Sequence, residues 1–351
     1  MTRDRGVCAA GAPGRDNLVT VPNPEGPGAE QYKRAARQAP PDREADVTEP
    51  TSEVRSKIST AAAVTRSGAR RYPRELMASF RPGRAEEVGV ERERAEGPIS
   101  ASWLGHATVL LRLDERWVLT DPVFSHRIGL GIGPIVLGVE RRLPTIDLAT
   151  LPPIDVILLS HAHFDHLDKP TLKRLVSRRT RVVTAASTRG LVPRGFGEVV
   201  ELPWEREVDL EGIRVRSGRP KHWGARTAWD RHRGFNCYVM EAGSQRVLYA
   251  GDTAYTTDFA GIVGPGGVDL SIFGIGAYDP WIAHHANPEQ VWAMHTQVGG
   301  RYLLPMHHST FKLSDEPAGE PMRRLLGAAG DASGSVVGRE LAAMWAMRTH
   351  A

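Results

Sequence analysis

Cysteine is nearly absent: the 351 residues hold only Cys8 and Cys237. Two cysteines build no disulfide framework, and the chain is compatible with a reducing compartment. Cys237 lies in the strand-like run Phe235-Asn236-Cys237-Tyr238-Val239 and reads as a small core residue. Long apolar runs are missing as well. No segment approaches the roughly 18 uninterrupted apolar residues of a membrane span. The basic start, Met1-Thr2-Arg3-Asp4-Arg5-Gly6, lacks the apolar core of a secretory signal, as does the stretch ahead of Cys8 that a lipoprotein anchor would need. Charge of one sign is not in excess: the net value is +4, with basic and acidic residues interleaved, so nucleic acid is not expected as a partner. There is no Gly-x-Ser-x-Gly elbow to supply a serine nucleophile. What remains, at 41% hydrophobic and 25% charged residues, is the composition of an ordinary globular chain that can bury one large core. The expectation is a cytoplasmic enzyme, with peripheral contact at a membrane surface left open.

Residues 1–97 differ from the rest. Pro, Gly, Ala, Arg and Glu dominate, as in Val21-Pro22-Asn23-Pro24-Glu25-Gly26-Pro27-Gly28, and large apolar residues are scarce. Such a composition buries too little surface to offset ordering entropy, so a largely disordered extension is expected, acting as a passive tail or as a regulatory or partner site. Two pieces within it, Glu53–Val64 and Pro73–Phe80, have helical character; in the second, Tyr72, Leu76, Met77 and Phe80 could dock on the folded domain, assigned to residues 98–351.

That domain opens with Ile99–Trp103, Thr108–Leu113 and Trp117–Thr120, alternating runs that read as strands, with Asp114-Glu115-Arg116 as a hairpin turn. The connection 124–144 contains glycines at alternate positions, Gly129, Gly131 and Gly133, which argue against a regular helix. Its Ile128–Val139 stretch is either a buried loop or added strand, or an apolar wall beside a site, suited to an acyl chain or a membrane surface. Further on, Pro170–Val176 reads as helix, Ser187–Pro193 as a short helix capped by Ser187, and Val208–Leu210 with Ile213–Ser217 as a hairpin. Asn287–His295 is a helix with Asn287 as N-cap and Pro288 at its first position. Pro321–Gly327 and Leu341–Trp345 remain unassigned.

The most informative stretch is Ser160-His161-Ala162-His163-Phe164-Asp165-His166-Leu167-Asp168. It follows Ile154-Asp155-Val156-Ile157-Leu158-Leu159, a short β-branched run behind Pro152-Pro153 that reads as a buried strand. Alternate side chains of an extended segment share a face, so His161 and His163 can reach one cation together. A turn into the following helix swings Asp165 and His166 toward a second. Imidazole nitrogen and carboxylate oxygen are usual donors to zinc and related ions at catalytic sites. A solvated turn that binds nothing would have to explain three histidines and an aspartate in six residues directly after an apolar strand.

His-x-His-x-Asp-His is the signature of the metallo-β-lactamase superfamily, which this sequence resembles. More closely it is similar to the branch containing N-acylphosphatidylethanolamine-hydrolysing phospholipase D and its bacterial relatives. The resemblance runs from about Ser102 to about Phe311 through Trp103-Leu104-Gly105-His106-Ala107-Thr108, Leu119-Thr120-Asp121-Pro122-Val123-Phe124, Lys221-His222-Trp223, Ala250-Gly251-Asp252-Thr253, Gly276-Ala277-Tyr278-Asp279-Pro280 and Met306-His307. It implies a four-layer αβ/βα sandwich with the site in the cleft between two sheets. It also implies two zinc ions: one held by His161, His163 and His222, the other by Asp165, His166 and His307, with Asp252 bridging both. His307 is preferred to its neighbour His308 because it holds the place of the family ligand. Asp121 is expected to orient a metal ligand, His285 to act on the leaving group, and Tyr278 to line the cleft, while His106 reads as structural. Asp165 and Asp252 would be the carboxylates that catalysis requires.

The activity implied is hydrolysis by a hydroxide shared between two cations, most directly of a phosphodiester of the N-acylated phosphatidylethanolamine type. A lactonase or carboxylic-ester hydrolase, as in the related ascorbate-6-phosphate lactonases, uses the same residues. A metal-stabilised binding protein is the non-enzymatic alternative, although structural zinc sites are normally closed and rich in cysteine.

Overall fold

The computed structural model describes Met77, Ser79 and residues 86–132, 135–210, 212–227 and 229–348, all within the unit Ser52–Ala351. The expected helix Glu53–Val64 lies outside these residues, as does Pro73–Phe80 apart from Met77 and Ser79. Met77 is 72% exposed, so it does not dock, whereas the Ser79 hydroxyl accepts from the backbone N–H of Gly138 at 3.2 Å.

Two mixed sheets form the centre. The first runs Glu198–Glu201, Arg181–Thr184, Val156–Leu159, Arg116–Thr120, Val109–Leu113, Ile99–Trp103 and Trp345–Ala346 in spatial order. The second runs Glu207–Leu210, Ile213–Gly218, Cys237–Ala242, Gln245–Tyr249, Val268–Gly274 and Gly300–Met306. Side chains alternate across each strand, and here both faces are apolar. Val109, Leu111 and Leu113 enter one buried cluster with Tyr238, Met240, Tyr249 and Leu270 of the second sheet, so this cluster is the layer between the sheets. Leu110, Leu119, Ile157 and Val182 point the other way and pack with Leu172 of the helix Lys169–Arg174. On the far side of the second sheet, Val239, Leu248 and Leu303 pack with Phe259, Val291, Met294 and Leu325 from the helices Phe259–Val263, Pro288–Gln297 and Glu320–Ala329. The result is the expected order of helix, sheet, sheet, helix.

Several local expectations are corrected. The fold begins before residue 98: Glu87–Val88 pairs with Thr145–Ile146, and Val90 is buried in the outer core of the first sheet. The segment 187–193 holds only a 3-10 turn, Arg189–Leu191, and Ser187 is not its cap, having a left-handed φ of 59° and lying one residue ahead of the cap position, Thr188. Asn287, by contrast, makes a full capping box with Gln290. The C-terminal stretch becomes an edge strand, Trp345–Ala346 against Ser100–Ala101, a pairing with no periodic signature in so short a run. The Gly-rich connection forms a separate two-stranded ribbon, Arg127–Ile132 against Ile135–Glu140. Gly129 faces Gly138 there because a Cβ on Gly138 would sit 2.8 Å from the Gly129 Cα and still closer to the Ile128 carbonyl. Leu130 and Ile132 on this ribbon are more than half exposed.

Leu111, fully buried between the sheets, tests the layer assignment. Leu111→Ala is expected to cost about 2–5 kcal/mol of unfolding free energy in a denaturant titration; a loss below about 1 kcal/mol would contradict a close-packed central layer.

Candidate metal centre

Parallel strands deliver the polar residues to one edge. Arg116–Thr120 and Val156–Leu159 run parallel, as do Gln245–Tyr249, Val268–Gly274 and Gly300–Met306, so their C-terminal ends lie together within each sheet. Asp121, His161, Asp252 and His307 each follow such an end by one to three residues. Clefts beyond the carboxyl ends of parallel strands are where α/β proteins bind ligands. Tight turns aim these side chains: Asp121 has φ 30°, His307 φ 59° and Gly251 φ 59°. A Cβ on Gly251 would stand 2.9 Å from the Asn236 carbonyl and 3.0 Å from Ser160 Cβ, so glycine is required just ahead of Asp252.

Two donor groups result. Ligand atoms of His161, His163, His222 and Asp252 lie within 4.8 Å of one another, and so do those of His106, Asp165, His166 and His307. Asp252 Oδ2 sits between the two groups, 3.8 Å from His161 Nε2 and 3.7 Å from His222 Nε2 on one side, 3.0 Å from His166 Nε2 and 3.3 Å from His307 Nε2 on the other. His307 Nε2 is also 3.5 Å from Asp165 Oδ2. The ring of His285 stacks on His307, and its Nδ1 is 3.9 Å from Asp252 Oδ2. His308 points elsewhere, stacked on Trp103 with centroids 4.4 Å apart.

Outer partners fix which nitrogen faces inward. His166 Nδ1 donates to Asp121 Oδ2 at 2.7 Å, His161 Nδ1 is 2.8 Å from Ser160 Oγ, and His222 Nδ1 donates to the His284 carbonyl at 3.1 Å. For His166 and His222 the Nε2 is left for the centre, the tautomer that metal-binding histidines adopt, while His161 Nε2 lies 2.8 Å from His163 Nδ1. Asp121 in turn accepts from Ser160 N at 2.7 Å, from Tyr249 OH at 2.6 Å and from the Ser160 hydroxyl.

The electrostatics suit a cation. Burial holds His161 well below the usual imidazole value and keeps His163, His222 and His285 at about 3, so these rings are neutral lone-pair donors at neutral pH. Burial pushes His307 down too, but Asp252 and Asp165 outweigh it and hold the ring at about 9. For His166 burial is again opposed by Asp252 and Asp165, with a net shift upward. Burial would raise Asp165 and Asp252; the histidines facing them, His166 foremost, hold both well below the carboxylate range. Nε2 of His166, His222 and His307 and Oδ1 of Asp252 are buried without a hydrogen-bond partner among the described residues. Orphaned buried donors and acceptors are costly, and here they converge. Three imidazoles with one carboxylate, beside two imidazoles with a carboxylate and the same Asp252, fit a pair of divalent cations of the zinc type.

Two sequence-level readings change in detail. His106 is more than a structural residue: its Nε2 donates to Asp165 Oδ2 at 2.9 Å, and its own ring, buried and near His307, is held at about 3. Only its φ of 50° beside Gly105 marks it out, and that is invisible in sequence. Tyr278 donates to Glu320 Oε1 at 2.8 Å and borders a cavity with Asn287, Glu316 and Arg324 that none of these histidines lines.

Comparison with known proteins bears on the fold and ancestry. A family model described as a beta-lactamase superfamily domain matches residues 116–308, more than half of the chain. This chain belongs to the metallo-β-lactamase superfamily. An uncharacterized protein of Mycobacterium tuberculosis is 34% identical over 241 residues, which are 66% of this chain and 64% of that protein, so the match spans less than two thirds of the relative's own length. The N-acyl-phosphatidylethanolamine-hydrolyzing phospholipase D 1 of Caenorhabditis elegans is 30% identical across 62% of this chain and 66% of its own. A metallo hydrolase from the archaeon Ignicoccus hospitalis superposes with a TM-score of 0.52 at 16% identity, covering 69% of this chain and 95% of that one, which identifies the same fold.

Adding zinc to metal-free protein at about 100 times its dissociation constant is expected to raise stability by about 2.7 kcal/mol, seen as an upward shift of the melting temperature; no shift would speak against the centre. Asp121→Asn keeps the shape but removes the charge that orients His166. It is expected to weaken metal affinity about 10–100-fold with an unchanged circular dichroism spectrum, and undiminished affinity would remove Asp121 from this role.

Proposed function

We propose that this chain is a metal-dependent hydrolase acting on a phosphodiester of the N-acylated phosphatidylethanolamine type. The observation that carries the reading is the single buried carboxylate oxygen of Asp252 shared between two histidine groups. His161, His163 and His222 would hold one divalent cation, and Asp165, His166 and His307 the other, with Asp252 between them. Similarity to the nematode phospholipase D supports the lipid phosphodiester as substrate class.

Bound there, two cations supply the Lewis acidity that ionises water near neutral pH and steadies charge on the attacked phosphoryl oxygen. The chain's residues do the rest. Asp121 and His106 hold His166 and Asp165 in place from outside the donor set. His285, kept neutral by burial, offers an N–H to the leaving oxygen as a hydrogen-bond donor, not as a charged acid. Trp223, its ring edge-on to His163 at 4.6 Å and 46% exposed, forms an apolar rim suited to the non-reacting part of a substrate. No helix among the described residues is long and apolar enough to cross a membrane.

The test is a parallel assay of zinc-loaded protein on bis(p-nitrophenyl) phosphate, a lactone and an N-acylated phosphatidylethanolamine. Cleavage of the two diesters is expected. Turnover of the lactone alone would replace this reading with that of a carboxylic-ester hydrolase. Asp165→Ala should lower kcat/KM by about three orders of magnitude, or about 4 kcal/mol, together with bound zinc; full activity at unchanged metal content would refute the site.

A further inference from the structure

Arg226 makes no contribution to either donor group, yet it holds the loop that carries half of the donors. Between the strand Val156–Leu159 and the helix Lys169–Arg174 the chain delivers His161, His163, Asp165 and His166 within six residues. That loop has few backbone bonds of its own: the N–H groups of His166 and Leu167 both donate to the His163 carbonyl, at 3.2 and 2.9 Å. The carbonyls of Ala162 and Leu167, which bracket the remaining donors, both accept from Arg226 Nη1, at 2.9 and 2.8 Å. The same guanidinium lies over the Phe164 ring, 4.0 Å from its centre. One side chain, four residues after His222, therefore grips the loop at both ends and in the middle.

We propose that Arg226 is a positioning residue that sets the spacing of His163, Asp165 and His166 by tying the Ala162 and Leu167 carbonyls to one nitrogen. The proposal rests on reading the cluster as a metal centre. A site of this kind works only if its donors are held to within about 0.5 Å, and side chains on a loop need outside support to reach that. Arginine suits the task because one Nη carries two hydrogens for two carbonyls while the planar group packs flat on an aromatic ring; the ammonium of lysine lacks that plane. Burial disfavours the charge of this guanidinium, and the negative charge of Asp168, Asp165 and Asp230 offsets part of that cost. Arg216 provides a matched control. Its Nη2 also donates to two carbonyls, those of Ile262 and Val263, at 2.6 and 3.1 Å, but it ties a strand to the helix Phe259–Val263 instead of the donor loop.

The full chain, stripped of metal, is titrated with zinc against a chromophoric chelator, with thermal melts in parallel, for the natural protein, Arg226→Ala, Arg226→Lys and Arg216→Ala. Arg226→Ala is expected to weaken zinc affinity about 10–100-fold, Arg226→Lys to recover part of it, and Arg216→Ala to lower the melting temperature with natural affinity. Natural affinity in Arg226→Ala overturns the proposal, as does an equal loss in Arg216→Ala, which would make the effect general destabilisation. Should Arg226→Ala not fold, Arg226→Lys decides alone: undiminished affinity there overturns the proposal. Failure of the natural protein to take up zinc would instead sink the metal-centre reading itself, and the clamp with it.

Discussion

The carboxylate of Asp252 is the interaction on which the site depends. Its Oδ2 stands 3.0 to 3.9 Å from ring nitrogens of five histidines: 161, 166, 222, 285 and 307. Packing that many imidazoles together away from water is unfavourable unless negative charge or a cation compensates. The opposing shifts express this constraint: the rings nearest Asp252, His166 and His307, are raised, while burial lowers His106, His161, His163, His222 and His285. A single carboxylate stands between the two donor groups, and Asp165 adds a second acidic residue to one of them.

The fold bears the geometric cost of that arrangement. Asp121, His106 and His307 all adopt positive φ without being glycine, and such conformations persist only where the surroundings over-determine them. The surroundings are visible. The Thr310 hydroxyl accepts from His106 N at 2.6 Å, the His307 N–H donates to the His106 carbonyl at 2.8 Å, and Asp121 N donates to the Leu158 carbonyl, also at 2.8 Å. The closely packed layer between the sheets fixes the strand ends from which these turns leave. Stability and site geometry are thus joined: the sheets need their central core to close, and the donors need closed sheets to meet.

Much of this was legible in the chain alone. Alternation of apolar residues identified the strands, and the cluster 161–168 announced a metal-type site because its density of histidines after an apolar run has no cheap structural explanation. The N-cap at Asn287 followed from local chemistry, and the structure adds Gln290 to it as a capping box. Short elements were less legible. The edge strand Trp345–Ala346, the strand Glu87–Val88 inside a compositionally weak segment, and the 3-10 turn at Arg189–Leu191 carry too few residues for a period to emerge.

Sequence by itself determined which residue types gather at strand ends, because spacing of two along a strand and a glycine before an aspartate are local rules. Tertiary structure alone decided the partners. That Tyr249 bonds Asp121 from 128 residues away, that His106 joins Asp165, that Tyr278 turns to Glu320 and that Arg226 grips the donor loop are set by how two sheets pack. The reason is physical: a side chain's local conformation follows from its neighbours in the chain, whereas its hydrogen-bond partner follows from which buried polar group the closing core leaves within about 3 Å of it.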